Sequence, residues 1–99
     1  MISVNLISSC RDVIAICDSE LIGKYFEDGN FQIDVKESFY RGEEYPEDEV
    51  KEIIRKMSYE DATFNIVGEK SCGCALNAGI ISQDGIKKIQ GVPFALVLL

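Results

Sequence analysis

Apolar residues alternate with polar ones near the start of the chain, and this period-two pattern predicts β-strands. The alternation covers residues 1–8, a second apolar run follows at residues 12–17, and residues 31–35 alternate again. The second run is apolar on both sides, so the first two strands are predicted to pair as an antiparallel hairpin. Residues 20–24 follow two polar capping residues and are predicted to form a short helix.

The clearest helical pattern lies in the middle of the chain, after Pro46. Proline suits the first turn of a helix, and the acidic residues that follow favour the positive end of the helix dipole. Apolar residues then recur at the spacing of one helix face: Val50, Ile53, Ile54 and Met57. We predict that this stripe packs into the core and does not line a cofactor site.

The C-terminal half combines a strand, a helix and a final apolar run. Residues 62–67 have the composition of a strand, and a helix is predicted over residues 69–78 with Gly79 as its C-cap. A short helix is predicted from residue 82 or 83 to about residue 89, before a last strand that runs to residue 98. Because a helical crossover separates the last two strands, they are predicted to be parallel, which makes the sheet mixed.

Together these patterns predict one α+β domain over residues 1–99. We expect a mixed sheet of about five strands, with an N-terminal antiparallel hairpin, two main helices and short helical turns. Residues 94–99 are apolar at every position, so both faces of the last strand need cover. We predict that this strand is central in the sheet, or that its uncovered side joins two copies of the chain as a homodimer.

Charge and composition narrow the classes of function. The chain has 17 acidic and 10 basic residues, a formal net charge of -7, and no histidine. The charge disfavours generic nucleic-acid binding, and the missing histidine excludes Ser-His-Asp or Cys-His catalysis within one chain. The acidic excess ends near residue 61, so if any face contacts RNA, we expect that face in the C-terminal third. No apolar run approaches the roughly 20 residues of a membrane span, and no basic flank of a secretory signal is present, so we expect a cytoplasmic protein without membrane contact.

The cysteines give little support to a metal site. They are Cys10, Cys17, Cys72 and Cys74. Their C-x6-C and C-x-C spacings differ from the C-x2-C knuckles of zinc sites. We expect Cys17 and Cys72 to be small buried hydrophobes and Cys74 to be more exposed, with no metal and no cofactor.

Polar residues at two predicted strand ends form the candidate site. If the second strand lies beside the strand at residues 62–67, then Asp18, Glu20 and Glu69 come together as a carboxylate group. The turn at Gly68 also presents backbone N–H groups that can bind an anion. The candidate binding residues are Asp18, Lys24, Tyr40, Arg41, Asn65, Glu69, Lys70, Lys87 and Lys88.

The chain resembles the archaeal "domain of unknown function 424" family in four segments. These are CDSELIGK at residues 17–24, FYRG at residues 39–42, NIVGE at residues 65–69, and GVP at residues 91–93 followed by Ala95. The resemblance implies a small cytoplasmic protein of unestablished function, with a suggested role in RNA binding and translation. The family pattern continues with histidine and then Ala-Gln after Gly-Val-Pro, where this chain has Phe-Ala-Leu. That difference favours a binding or structural role over catalysis.

Two functional hypotheses follow. The leading one is a non-enzymatic binding module for RNA or a translation-associated protein, with contacts from Lys24, Arg41, Asn65, Lys70, Lys87 and Lys88. The alternative is a small-ligand-binding protein or minor enzyme centred on Asp18, Asn65 and Glu69. Convergence of the four segments in a cleft would favour a small ligand, whereas convergence on a flat basic face would favour RNA or a protein.

Overall fold

The computed structural model describes residues 1–8 and 10–98 and places two main helices on one face of a mixed β-sheet and a β-hairpin on the other. The strands are β1 (Ile2–Ile7), β2 (Asp12–Asp18), β3 (Tyr25–Asp28), β4 (Phe31–Asp34), β5 (Glu43–Tyr45), β6 (Ala62–Val67), β7 (Lys87–Ile89) and β8 (Val92–Leu98). The helices are α1 (Glu37–Tyr40), α2 (Glu47–Met57) and α3 (Glu69–Ala78), with 3-10 turns at Ser19–Leu21 and Gln83–Gly85.

The strand order of the main sheet is β5-β1-β2-β6-β8-β7. The predicted β1–β2 hairpin and the mixed sheet are confirmed, and β2 and β6 form the parallel pair. The prediction that the last two strands are parallel is wrong, because β6 and β8 pair antiparallel. The crossover through α3 leads instead to β7, and a tight turn with positive φ at Gln90 and Gly91 sends β8 back between β6 and β7.

Two clusters of buried residues lie on opposite faces of the sheet. On one face, α2 and α3 cover side chains such as Ile16, Phe64 and Ile66. On the other face, α1 and the β3–β4 hairpin cover Cys17 and Val67. Two residues of the predicted α2 stripe, Val50 and Ile54, are buried in the first cluster, and Met57 packs against it. Ile53 is half-buried. Within residues 1–8 and 10–98, no helix is long and apolar enough to cross a membrane.

Several short elements differ from the predictions. The expected helix at residues 20–24 is a 3-10 turn followed by β3, and the strand expected at residues 31–35 pairs with β3 outside the main sheet. Helix α1 and strand β5 have four and three residues, too few to show a period in the sequence. Over the described residues the sheet therefore has six strands rather than about five. The helix expected at residues 82–89 is a 3-10 turn followed by β7, the strand to which the crossover leads.

Strand β8 lies inside the sheet, which is one of the two predicted arrangements. Its buried residues Ala95 and Val97 alternate with Leu96 and Leu98, which are 61% and 70% exposed. Within the part of the chain that the structure describes, cover on the second face of this strand is therefore incomplete at these two leucines. The homodimer stays a prediction. Ser9, beside the first predicted strand, and Leu99, at the end of the apolar run, lie outside the described residues.

Candidate functional site

The parallel pairing of β2 and β6 brings the carboxyl ends of both strands to one edge of the sheet. Strand β2 ends at Asp18, and β6 leads through Gly68 into α3. Gly68 has a φ of +112°, and a Cβ at this position would lie 2.3 Å from the Cγ of Asp18. Glycine is required here because a side chain is excluded both by the backbone conformation and by the carboxylate.

The Asp18 carboxylate caps α3 from the neighbouring strand. Its Oδ1 accepts hydrogen bonds from the Ser71 N–H at 2.8 Å and the Ser71 hydroxyl at 2.7 Å, and its Oδ2 accepts one from the Lys70 N–H at 3.1 Å. Asp18 is only 3% exposed. The anion site predicted at this turn is therefore filled by the chain's own carboxylate, and Asp18 acts as a positioning residue.

A cleft of about 240 Å³ opens beside this helix cap, and we call it the cap cleft. Its walls come from the end of β2 with the following 3-10 turn, the start of α3 and the start of β8. The lining residues are Asp18, Glu20, Leu21, Glu69, Lys70, Gly91, Val92 and Pro93. The predicted carboxylate group of Asp18, Glu20 and Glu69 is thus assembled on one cleft. Three of the four segments that carry the family resemblance contribute to it.

The remaining segment, residues 39–42, does not line the cap cleft and anchors α1 and β5 against β1. The Ser3 hydroxyl donates a hydrogen bond to the Tyr40 carbonyl at 3.0 Å and accepts one from the Gly42 N–H at 2.7 Å. Tyr40 is buried, and burial raises the pKa of its phenol to about 12. The structure therefore places most of the Tyr40 side chain in the core, and its accessible part lines a cavity that Asn65 also lines.

The predicted basic contacts lie on different elements of the fold. Lys70 lines the cap cleft, Lys24 directly precedes β3, and Arg41 pairs at 3.2 Å with an acidic residue one helical turn earlier. Lys87 and Lys88 are consecutive in β7 and therefore point to opposite sides of the sheet. Of these five cations, only Lys70 belongs to the cap cleft as the described residues form it.

Asn65 does not join the carboxylates. It lies in the middle of β6, opposite Ala15 and Leu96. It lines a separate cavity of about 320 Å³, between the sheet and the β3–β4 hairpin. The structure therefore does not bring Asn65 together with Asp18 and Glu69.

The cysteines are free thiols, and all but Cys10 are buried. Burial, together with the nearby Asp18 carboxylate, raises the pKa of Cys17 to about 12 and that of Cys72 to about 11. The expectation that Cys74 is more exposed is wrong, because α2 packs beside α3 and covers this side chain, whose Sγ contacts the Glu47 carbonyl at 3.5 Å. No group of three or more His, Cys, Asp or Glu among the described residues is arranged to hold a metal ion.

Sequence reasoning missed the partner of Asp18. Ser71 lies 53 positions further along the chain and forms the shortest of the hydrogen bonds given above to the carboxylate. Its position gives no local signal, because a serine in the first turn of a helix is common whatever lies beside it. The nearest signal in the sequence is a strand that ends in aspartate, together with a second strand that is followed by glycine.

Comparisons with known proteins agree with the resemblance in the four segments. The chain has 28% sequence identity to an uncharacterised conserved protein from Methanopyrus kandleri whose crystal structure is known. The two structures superpose with a TM-score of 0.85 over 98% of this chain and 91% of that one, so they share the α+β fold. No curated protein matches the chain. The family model described as "Protein of unknown function (DUF424)" matches residues 8–99, and the chain therefore belongs to the DUF424 family.

Proposed function

We propose that this protein is a non-enzymatic binding module of the cytoplasm, and that its cap cleft contacts a translation-associated protein. The observation that carries the proposal is that three separate segments resembling the family line one cleft. The association with translation comes from the resemblance.

The state of the reactive groups supports binding rather than catalysis. The Asp18 carboxylate accepts hydrogen bonds from the first turn of α3, which gives it a structural role in holding that helix. The thiols of Cys17 and Cys72 have raised pKa values and stay protonated at neutral pH, which makes them poor nucleophiles.

The size and charge of the cap cleft support a protein partner. Convergence of the segments in a cleft would by itself favour a small ligand, but the volume of about 240 Å³ is below the range of about 300–1,000 Å³ that whole small ligands occupy. A cleft of this size suits one side chain or a short segment of a protein. The exposed carboxylates of Glu20 and Glu69 outnumber the ammonium group of Lys70. Together with the chain's net charge of -7, they favour a neutral or basic protein surface over a phosphate backbone.

Photo-crosslinking tests the proposal. The photoreactive residue p-benzoylphenylalanine replaces Glu20, which is exposed in the cap cleft, or Asp84, which is exposed outside it as a matched control. Each variant is irradiated in an extract of the source organism, and the adducts are treated with ribonuclease or protease. We expect a ribonuclease-resistant protein adduct of a translation factor or ribosomal protein at position 20 and not at position 84. The same adducts at both positions would overturn the proposal.

Direct RNA binding is the competing outcome, and a titration separates it. Labelled single-stranded RNA is mixed at low salt with the protein and with a control protein of equal negative charge. We expect no affinity above that of the control, because a chain with this charge repels phosphate. A ribonuclease-sensitive adduct at position 20, together with RNA affinity that Lys70→Glu abolishes, would replace the protein partner with RNA.

A further inference from the structure

A second concave surface lies at the β5 edge of the sheet, on the side that carries α2. A cavity of about 460 Å³ opens there between β1, β5 and α2. Its lining residues are Val4, Asn5, Leu6, Ile14, Gly42, Glu43, Tyr45, Ile53 and Met57. Most of these side chains are apolar, and none of them lines the cap cleft.

This cavity continues along the exposed side of α2. A neighbouring depression of about 550 Å³ is lined by Tyr45, Asp48, Glu49, Glu52, Ile53 and Lys56. Tyr45 and Ile53 line both depressions, so the two lie side by side. We call them together the α2 groove.

The groove is open because β5 is short. Strand β5 pairs with β1 only from Ile2 to Val4. Beyond Val4, the part of the chain that the structure describes supplies no strand on this side of β1, and Leu6 is 53% exposed. Ile53 and Met57, the half-buried members of the α2 stripe, form the floor beside it.

The rim of the α2 groove is acidic. Glu43, Asp48, Glu49 and Glu52 line it, against a single lysine among the described lining residues, Lys56. Glu52 is already paired at 2.6 Å with Arg55, so Asp48 and Glu49 are the acids of α2 that we consider for a partner. Because these acids are exposed, they give the groove a negative potential that solvent and salt reach. An apolar floor with an acidic rim is complementary to an apolar side chain flanked by cations.

We propose that the α2 groove binds a basic amphipathic segment of a protein partner. Apolar side chains of that segment enter the 460 Å³ cavity, and neighbouring lysine or arginine side chains contact Asp48 and Glu49. Charge complementarity selects this occupant. RNA would meet the acidic rim with like charge, and a second copy of the chain would bring its own net charge of -7.

An NMR titration tests this site separately from the cap cleft. The probe is a short amphipathic peptide of leucine and lysine, and two control peptides replace either its leucines with serine or its lysines with glutamate. We expect the backbone amide signals of Leu6, Ile53 and Met57 to shift with the leucine-lysine peptide, while those of Glu20 and Lys70 do not. Both control peptides should bind at least about tenfold more weakly, since each removes one half of the complementarity.

A pair of matched variants tests the role of the acidic rim. Combining Asp48→Lys with Glu49→Lys should weaken binding of the leucine-lysine peptide at least about fivefold, because two exposed ionic contacts are reversed. The control Asp84→Lys changes an exposed acid outside the groove and should leave the Kd within about twofold. Circular dichroism confirms that each variant is folded. Unchanged binding by the double variant, equal binding of the glutamate peptide, or shifts confined to the cap cleft would overturn the proposal.

Discussion

Replacing Asp18 with alanine should destabilise the protein far more than its position at the end of a strand suggests. The change removes the acceptor for the Ser71 N–H, the Ser71 hydroxyl and the Lys70 N–H. A buried donor left without an acceptor costs about 1–3 kcal/mol, and loss of an N-cap costs about 0.5–2 kcal/mol. Because the Lys70 N–H is next to the open cap cleft and can be rehydrated, we expect a total loss of about 3–4 kcal/mol.

That loss is a large part of the about 5–15 kcal/mol by which small domains are stable. Asp18→Asn keeps the shape of the side chain and one acceptor oxygen, but its amide NH2 group faces a backbone N–H, and both are donors. We expect the free energy of unfolding to fall by about 2 kcal/mol. Urea denaturation followed by circular dichroism measures the free energy of unfolding of each variant. Glu20→Ala is the control, because it removes a neighbouring carboxylate that is exposed in the same cleft.

A double-mutant cycle with Ser71→Ala then isolates the interaction between the two side chains. We expect a coupling of about 1 kcal/mol or more, since the hydroxyl and the carboxylate form a charge-assisted hydrogen bond. The cap assignment would be refuted if Asp18→Ala and Glu20→Ala had free energies of unfolding within about 0.5 kcal/mol of each other.

Three further predictions concern glycine positions, alkaline pH and the last strand. Gly68→Ala should lower the free energy of unfolding by at least about 2 kcal/mol, because its Cβ would meet the Asp18 carboxylate. Gly73→Ala, inside α3 with nothing within 4 Å, should raise the free energy of unfolding by about 0.5–1 kcal/mol. Urea denaturation measures both changes, and changes of the same sign would contradict the prediction. Burial raises the pKa of Cys17 from 9.0 to about 12, so the unfolded chain loses this proton first and the free energy of unfolding should fall between pH 9 and pH 12. Urea denaturation at several alkaline pH values should give a shallower fall for Cys17→Ala, and an unchanged slope would be the contrary result. Leu96→Asp should stay folded because Leu96 is 61% exposed, whereas Val97→Asp should unfold, as read by circular dichroism; light scattering of wild type and Leu96→Asp then tests the predicted homodimer.

The secondary-structure elements that could be predicted from the sequence are those whose two ends are both marked by characteristic residues. Strand β6 and helix α3 follow this rule, since Gly68 and Gly79 mark the two ends of the helix. The carboxylate group at the cap cleft could be predicted only on the condition that β2 and β6 lie side by side, because no local pattern records the pairing of these distant strands. The ends of α3 are marked by residues within the helix or next to it, and that is why they could be predicted.

The remaining features depend on contacts between distant segments. Strand β7 has only three residues, so its sequence does not distinguish it from the end of a helix, and the parallel pair was assigned to the wrong strands for that reason. The α2 groove depends on where β5 stops pairing with β1, which no local pattern records. The position of Asn65 away from the carboxylates likewise follows from the register of β6 with its neighbours.

The capping of α3 by a residue of another strand also ties its folding to that of the sheet. Helix α3 has ten residues, and its sequence EKSCGCALNA contains glycine, serine, cysteine and asparagine, so an isolated copy would be only marginally helical in water. Its first-turn donors gain the Asp18 acceptor only after β2 and β6 have paired. The helix and the parallel strand pair should therefore form and melt as one cooperative unit, and amide hydrogen exchange in α3 should report global unfolding rather than local fraying.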